Sequence, residues 1–210
     1  MKLGTTMSED LIAEWTTPGL IGVSRLHEAC MNGNLEKVPK LLITDEYLSQ
    51  TEARSKETSF HYLAISKALD KLPIGVLNHQ NLTKPDALGT SVLHIAAENG
   101  SIEQIPKNLL TREILLEGDT RSVLHLAARY GHLDKLPDVF LPEDYLIEIN
   151  QWTPFHLAKC WGHMHQLLGV DLPKSCEKSV DKEWWEKNQR LLHVQEELIV
   201  NTTTPDLDLF

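Results

Sequence analysis

Imidazole and thiol side chains are the first place to look for chemistry in this chain, which carries ten histidines and three cysteines. Five of the histidines are regularly placed. His27, His61, His94, His125 and His156 follow one another at intervals of 34, 33, 31 and 31 residues. A catalytic histidine is a singular residue, whereas five copies at one period mark five equivalent places in a repeated structure. A second grouping has the ligand types of a metal site: Cys160, His163, His165 and Cys176 crowd together. Against it, His163 holds the same place after a glycine as His132, and the two cysteines lack C-x-x-C spacing, so no metal is expected. The sequence has no glycine-rich phosphate loop, nucleophile elbow or metalloprotease helix motif. Carboxylates are plentiful but read as solvated helix faces. The expectation is a protein without catalytic residues, metal or cofactor.

The elements that position the five histidines follow from counting outward from each one. Three residues before each stands a hydroxyl: Ser24, Thr58, Ser91, Ser122 and Thr153. Such a residue caps a helix by accepting a bond from a first-turn amide, and Pro154 after Thr153 suits the first helical position. Each histidine then lies at the third helical position, within reach of its cap. Two residues after it comes Ala29, Ala96, Ala127 or Ala158, small enough for neighbouring helices to approach, and six after it comes Gly33, Gly100, Gly131 or Gly162. Glycine there takes the left-handed conformation that ends a helix, which limits the first helix to about two turns.

A second helix is expected next. Apolar pairs eight and eleven positions beyond histidine lie one turn apart: Leu35/Val38, Leu69/Leu72, Ile102/Ile105, Leu133/Leu136 and Met164/Leu167. Glu36, Asp70, Glu103 and Asp134 at plus nine suit the positive end of a helix dipole, and Pro39, Pro73, Pro106 and Pro137 at plus twelve suit a first turn. Both features place the start of that helix near plus nine. Leu48, Leu82, Leu115 and Leu146 follow at plus twenty-one, and all variation in repeat length falls in the connection after them.

On these residues the chain resembles the ankyrin repeat family, whose unit is about 33 residues with a T-P-L-H-x-A signature. Thr153-Pro154-Phe155-His156-Leu157-Ala158 departs from that signature at one residue, and Ser122-Val123-Leu124-His125-Leu126-Ala127 is nearly as close. The resemblance covers five units, roughly Ser24 to Leu172. The second departs most, with Lys67 where glycine belongs and Leu63 where alanine belongs, so its first helix either runs on or packs differently. The implied fold is all-α: an ankyrin-repeat solenoid of helix-turn-helix units with projecting inter-repeat loops, plus a C-terminal helix. The expected organisation is an N-terminal capping segment over 1–23, the array over 24–177, the helix over 178–200 and a flexible acidic-apolar tail over 201–210. Each unit of such an array buries its apolar face only against its neighbours. Ser8 to Trp15 reads as a short helix covering one end, and a stripe of Trp184, Leu191 and Leu198 as the cover at the other.

Composition points the same way. Three cysteines form no paired framework, which suggests a reducing, cytoplasmic compartment. The first residues reach Glu9 and Asp10 before any long apolar run forms, so neither a secretory signal nor a membrane span is expected. A formal net charge of −10 repels phosphate, which disfavours nucleic acid and steers basic surfaces toward the chain.

What remains is binding to another protein. The resemblance implies a groove lined by the exposed face of the first helices and by the adjoining connections. Its positions, four and five after histidine, are Met31 and Asn32, Ile65 and Ser66, Glu98 and Asn99, Arg129 and Tyr130, and Cys160 and Trp161. No residue type runs through that series, whereas the framework around it is uniform. Tyr130, Trp152 and Trp161, with Arg121 and Arg129, are of the types enriched at binding hot spots, and the alternative for Trp152 and Trp161 is packing against a neighbouring unit or the C-terminal helix. The leading expectation is a non-catalytic adaptor or inhibitor, monomeric in isolation. The alternatives are a regulatory subunit docking through its C-terminal helix and tail, and a metal-dependent or enzyme-accessory protein.

Overall fold

The computed structural model describes residues 3–19, 22–117, 121–141, 144–145, 147–149 and 152–167, with side chains from Ser8 onward. The helix expected over 178–200 and the tail over 201–210 lie outside the described residues. Helix α1 (Leu3–Thr16) leads into five short helices that begin after the five hydroxyls: α2 (Arg25–Met31), α4 (Ser59–Ile65), α6 (Val92–Asn99), α8 (Val123–Tyr130) and α9 (Pro154–Cys160). Three shorter ones come between them, α3 (Asp45–Leu48), α5 (His79–Thr83) and α7 (Arg112–Leu116). Among the described residues all regular structure is helical, and the connections carry only isolated β-bridges such as Pro18 with Ser24 and Pro85 with Ser91.

Helices of seven or eight residues are too short to hold themselves in water, so tertiary burial must stabilise them. α2, α4, α6, α8 and α9 form a row in which each touches the next. Ala96, Ala127 and Ala158 are fully buried in that row, and so are Ala64, Ala97 and Ala128 one position later. The larger side chains between them, Leu26, Phe60, Leu63, Leu93 and Leu124, are at most 1% exposed, each worth about 1.5–3 kcal/mol of hydrophobic stabilisation. α1 closes the start of the row. Trp15 is buried, the Arg25 guanidinium lies 4.6 Å from its ring centroid, and Arg25 also pairs with Glu14.

Each first helix ends in the same way. The amides of Asn34, Ala68, Ser101, His132 and His163 reach back 2.7–2.8 Å to the carbonyls of Ala29, Leu63, Ala96, Ala127 and Ala158. This closure needs a left-handed residue at plus six. Gly100 and Gly131 supply it at φ +68° and +77°. Lys67 adopts φ +54° in the second unit, so α4 stops at Ile65 and does not run on.

The second half of the unit differs from the expected single helix. Leu35–Lys37, Leu69–Lys71, Ile102–Gln104 and Leu133–Lys135 are three-residue 3-10 turns, each followed by an extended residue: Val38, Leu72, Ile105 or Leu136. The cause is the proline that comes next, whose ring pushes the preceding residue out of the helical region. A second 3-10 turn follows in the first and third units (Lys40–Leu42 and Lys107–Leu109), and only then come α3, α5 and α7. Leu48, Leu82 and Leu115 in these helices are fully buried. The acids at plus nine pair across units: Glu36 with Lys71 at 3.9 Å, and Glu103 with Lys135 at 3.1 Å.

Polar side chains also join unit to unit. At plus ten, Lys71 donates to the Gly33 carbonyl at 2.6 Å, Gln104 to Lys67 at 2.9 Å and Gln166 to Gly131 at 2.6 Å. In these three the acceptor is the carbonyl of the left-handed residue in the unit before, whereas Lys135, also at plus ten, donates to the Glu103 carboxylate. In the outer layer Asn81 bonds to Asp45, and Arg112 makes a two-pronged bond to the fully buried Asp144.

Candidate functional site

His27, His61, His94 and His125 are held from both sides, and His156 is held at Nδ1. Nδ1 lies 2.7–2.9 Å from the cap hydroxyl of Ser24, Thr58, Ser91 or Ser122, and in the fifth unit it accepts from the Thr153 amide at 3.3 Å. Nε2 of His61, His94 and His125 reaches the carbonyl of Thr90, Arg121 or Trp152, each the residue just before the next unit's cap. His27 reaches Gln50. Burial holds the pKa of all five below the ordinary imidazole value. These rings set the register between units, and their nitrogens are already engaged by backbone and caps. The thiols are equally unsuited to reaction, since burial pushes Cys30 up to about 12 and Cys160 up to about 11, where a nucleophilic thiolate is scarce. Among the described residues no group of three possible ligands gathers for a metal; His163 instead packs over Gly131, and Cys176 lies outside the described residues.

The positions four and five after histidine come to the ends of successive helices in the row. Met31 and Ile65 are 44% and 45% exposed, and Tyr130 is 37% exposed. Met31 and Ile65 hold the same place, four after histidine, on α2 and α4, and Tyr130 stands one residue further on, at the last residue of α8. The polar members are tied to their own scaffold. Asn32 donates to the Glu28 carbonyl at 2.8 Å, Ser66 to Cys30 at 2.9 Å and Asn99 to Ala64 at 3.5 Å. Ser66 and Asn99 thereby also lock neighbouring helices together.

Toward α9 the face becomes charged and aromatic. The Arg129 guanidinium lies 5.4 Å from the Tyr130 ring centroid and 5.1 Å from that of Trp161, the geometry of a cation held between two π faces. Arg121 crosses from the connection before α8 to stand 3.7 Å from Glu98 and to donate to Thr90 Oγ1 at 3.0 Å. Burial pushes the Glu98 carboxyl up, against the pull of Arg121 and Arg129. Cys160 is half-buried beside this group.

Trp152 does not join that face. It is 9% exposed and belongs to the core, its backbone paired in both directions with Ile149 and its neighbour Thr153 buried as the cap of α9. An aromatic ring placed just before a buried cap packs under the connection. The sequence reading also passed over Leu88, 61% exposed in the turn where Asp86 accepts from the amides of Leu88 and Thr90. An apolar residue inside an Asp-x-x-Gly turn was the available signal. A separate cleft of about 590 Å³ runs between α5 and α7, lined by His79, Glu113, Ile114 and Glu117 among others, with no residue of the first helices.

Among the described residues no helix is long and apolar enough to cross a membrane. No protein-family model matches the sequence, and no curated protein matches it either.

Proposed function

We propose that this chain is an ankyrin-type stack of helical units and a non-catalytic module that grips a partner protein through the face formed by the positions four and five after each histidine. One observation carries the reading: Met31, Ile65 and Tyr130 are large, apolar and exposed, and each is the last residue of its helix in a row of helices whose framework positions are alike. Solvent-exposed apolar side chains that recur at the ends of successive helices are what a binding surface requires. The chemistry adds to it, because the thiols of Cys30 and Cys160 are held in their unreactive form and the imidazoles of His27, His61, His94 and His125 are engaged at both nitrogens. A net charge of −10 favours encounter with a basic partner surface. Free, buried Cys30 suits a reducing, cytoplasmic setting.

The test uses the full chain as bait in a native lysate, beside a triple variant, Met31→Ser, Ile65→Ser and Tyr130→Ser. The expected result is that a protein retained by the wild type is lost by the variant, while its melting temperature moves by no more than about 2 °C, as fits exposed positions. Retention of the same protein by the variant refutes the assignment of the face.

A further inference from the structure

Each junction between units carries one imidazole, and its tautomer is fixed by what surrounds it. His27 Nε2 lies 3.0 Å from the Gln50 carbonyl, His61 Nε2 3.2 Å from Thr90, His94 Nε2 3.1 Å from Arg121, and His125 Nε2 3.1 and 3.2 Å from Ile147 and Trp152. A carbonyl has no proton to give, so in these four rings Nε2 carries the hydrogen and donates it. A neutral imidazole has one such hydrogen, which leaves Nδ1 as an acceptor. That is how it is used: the backbone amides of Thr58, Ser91 and Thr153 donate to Nδ1 of His61, His94 and His156 at 3.1, 3.2 and 3.3 Å. In His61 and His94 a second proton would have to sit on Nδ1, against an amide hydrogen that belongs to a helix cap and cannot turn away.

We propose that the four imidazoles of His27, His61, His94 and His125 form an acid-labile seam: the row of helices is held in register by neutral, Nε2-protonated rings and comes apart when they take up a second proton. The charged groups around the seam are mixed. Glu52 and Glu57 face His27, Glu57 and Asp86 face His61, Asp86 and Arg121 face His94, and Glu148 and Lys159 face His156. The carboxylates favour the protonated ring, but burial outweighs them at every site, and His125 is governed by burial against its two carbonyl bonds.

The direction of the effect follows. The unfolded chain takes up these protons near pH 6.5, and the native state does so only at lower pH. The native state is therefore fully favoured above about pH 6.5 and loses ground as pH falls below it, by up to about tenfold in the folding equilibrium constant per pH unit for each clasp. The carboxylates act elsewhere. Burial pushes Asp45, Glu52 and Asp144 up, but the bonds they accept outweigh it and keep them below the usual carboxylate range, beneath the histidine window. Glu98 is shifted upward by burial and has the opposite sign. His132, also held low by burial and by Lys67, lies outside the clasps and adds at most one proton.

The seam is independent of what the face binds. Its test is urea unfolding of the full chain between about pH 7.5 and 5.5, with proton uptake read from the slope of the folding constant against pH. We expect uptake of about three protons or more near pH 6. His61→Gln and His94→Gln should each lower that uptake by about one. If the clasp variants fail to fold, calorimetric unfolding of the wild type in buffers of different ionisation enthalpy gives the same proton count. Uptake clearly below about three protons, or uptake unchanged in His61→Gln and His94→Gln, overturns the seam.

Discussion

Gly131→Ala and Gly162→Ala, two identical substitutions one unit apart, separate the cost of a helix end from the cost of the contact between units. Gly131 ends α8 at φ +77°, and a Cβ built there would stand 2.7 Å from the His163 ring. Gly162 has φ +80°, and a Cβ there meets nothing within 4 Å among the described residues. An L-residue in left-handed backbone loses about 1–2 kcal/mol, and the reduced freedom of the unfolded chain offsets about 0.4–1 kcal/mol of that. Gly162→Ala should thus cost about 1 kcal/mol. At Gly131 the new methyl must also push aside a packed ring, and overpacking of that kind adds about 1–3 kcal/mol. The expected loss is about 2–4 kcal/mol, a large share of the 5–15 kcal/mol typical of a folded domain. Urea unfolding followed by circular dichroism at about pH 7.5, above the histidine window, would measure both. The decisive arm is the double variant Gly131→Ala with His163→Ala, in which the clash has no ring to meet. Its loss should fall short of the sum of the single losses by about 1 kcal/mol or more. Equal costs at Gly131 and Gly162, or strict additivity in the cycle, would refute the claim that the ring and the glycine are packed as a pair.

Lys67→Gly should act in the reverse sense, because Lys67 already adopts φ +54°; relief of backbone strain less the added freedom of glycine predicts a gain of about 0.5 kcal/mol, or about 1–2 °C in melting temperature. A clear fall would mean that the lysine side chain makes a contact worth more than the strain. Arg112→Ala should cost about 2–4 kcal/mol by urea unfolding, since it strips the guanidinium from a carboxylate that is 0% exposed. Arg112→Lys should restore less than half of that for want of the planar fork, and an unchanged midpoint in either variant would remove Asp144 from the set of structural anchors.

The parts legible in the sequence are those where one residue type satisfies a backbone demand by itself. Ser24, Thr58, Ser91, Ser122 and Thr153 had to carry a hydroxyl to cap, and Gly100 and Gly131 had to tolerate left-handed backbone, so the period stood out and the first helices fell where it put them. The second half was misjudged because two rules compete at Pro39, Pro73, Pro106 and Pro137. A proline is tolerated in a first helical turn, but it also forces its predecessor to be extended, and here the second rule ends each 3-10 turn at Val38, Leu72, Ile105 or Leu136. Glu36 and Glu103 were assigned to a helix dipole because their partners, Lys71 and Lys135, stand a whole unit away. The plus-ten series of Lys71, Gln104 and Gln166 was in plain view as long donors, but a donor does not announce a carbonyl more than 30 positions upstream. For Trp152 the residue type suggested a surface and the connection dictated a core, a choice that composition does not carry.

The bonds that hold unit to unit explain how such a chain can vary its face without losing its fold. The interfaces are closed by histidine at plus zero and by the long donors at plus ten, and both aim at backbone carbonyls. A carbonyl is supplied by any residue, so these contacts ask nothing of the side chains at plus four and plus five, where Ser66 and Asn99 add bonds of their own to the neighbouring helix. The small residues at plus two and plus three fill the row from within, again without using those positions. Stability in a stacked array is a sum of unit and nearest-neighbour terms, and Met31, Ile65 and Tyr130 enter few of them. Substituting those side chains therefore changes what the surface can hold at little cost in folding, whereas one exchange at a clasp or a left-handed glycine is felt by two units at once. That separation is the physical reason to test the proposed binding at Met31, Ile65 and Tyr130, and to look for the molecule's weak points at the junctions.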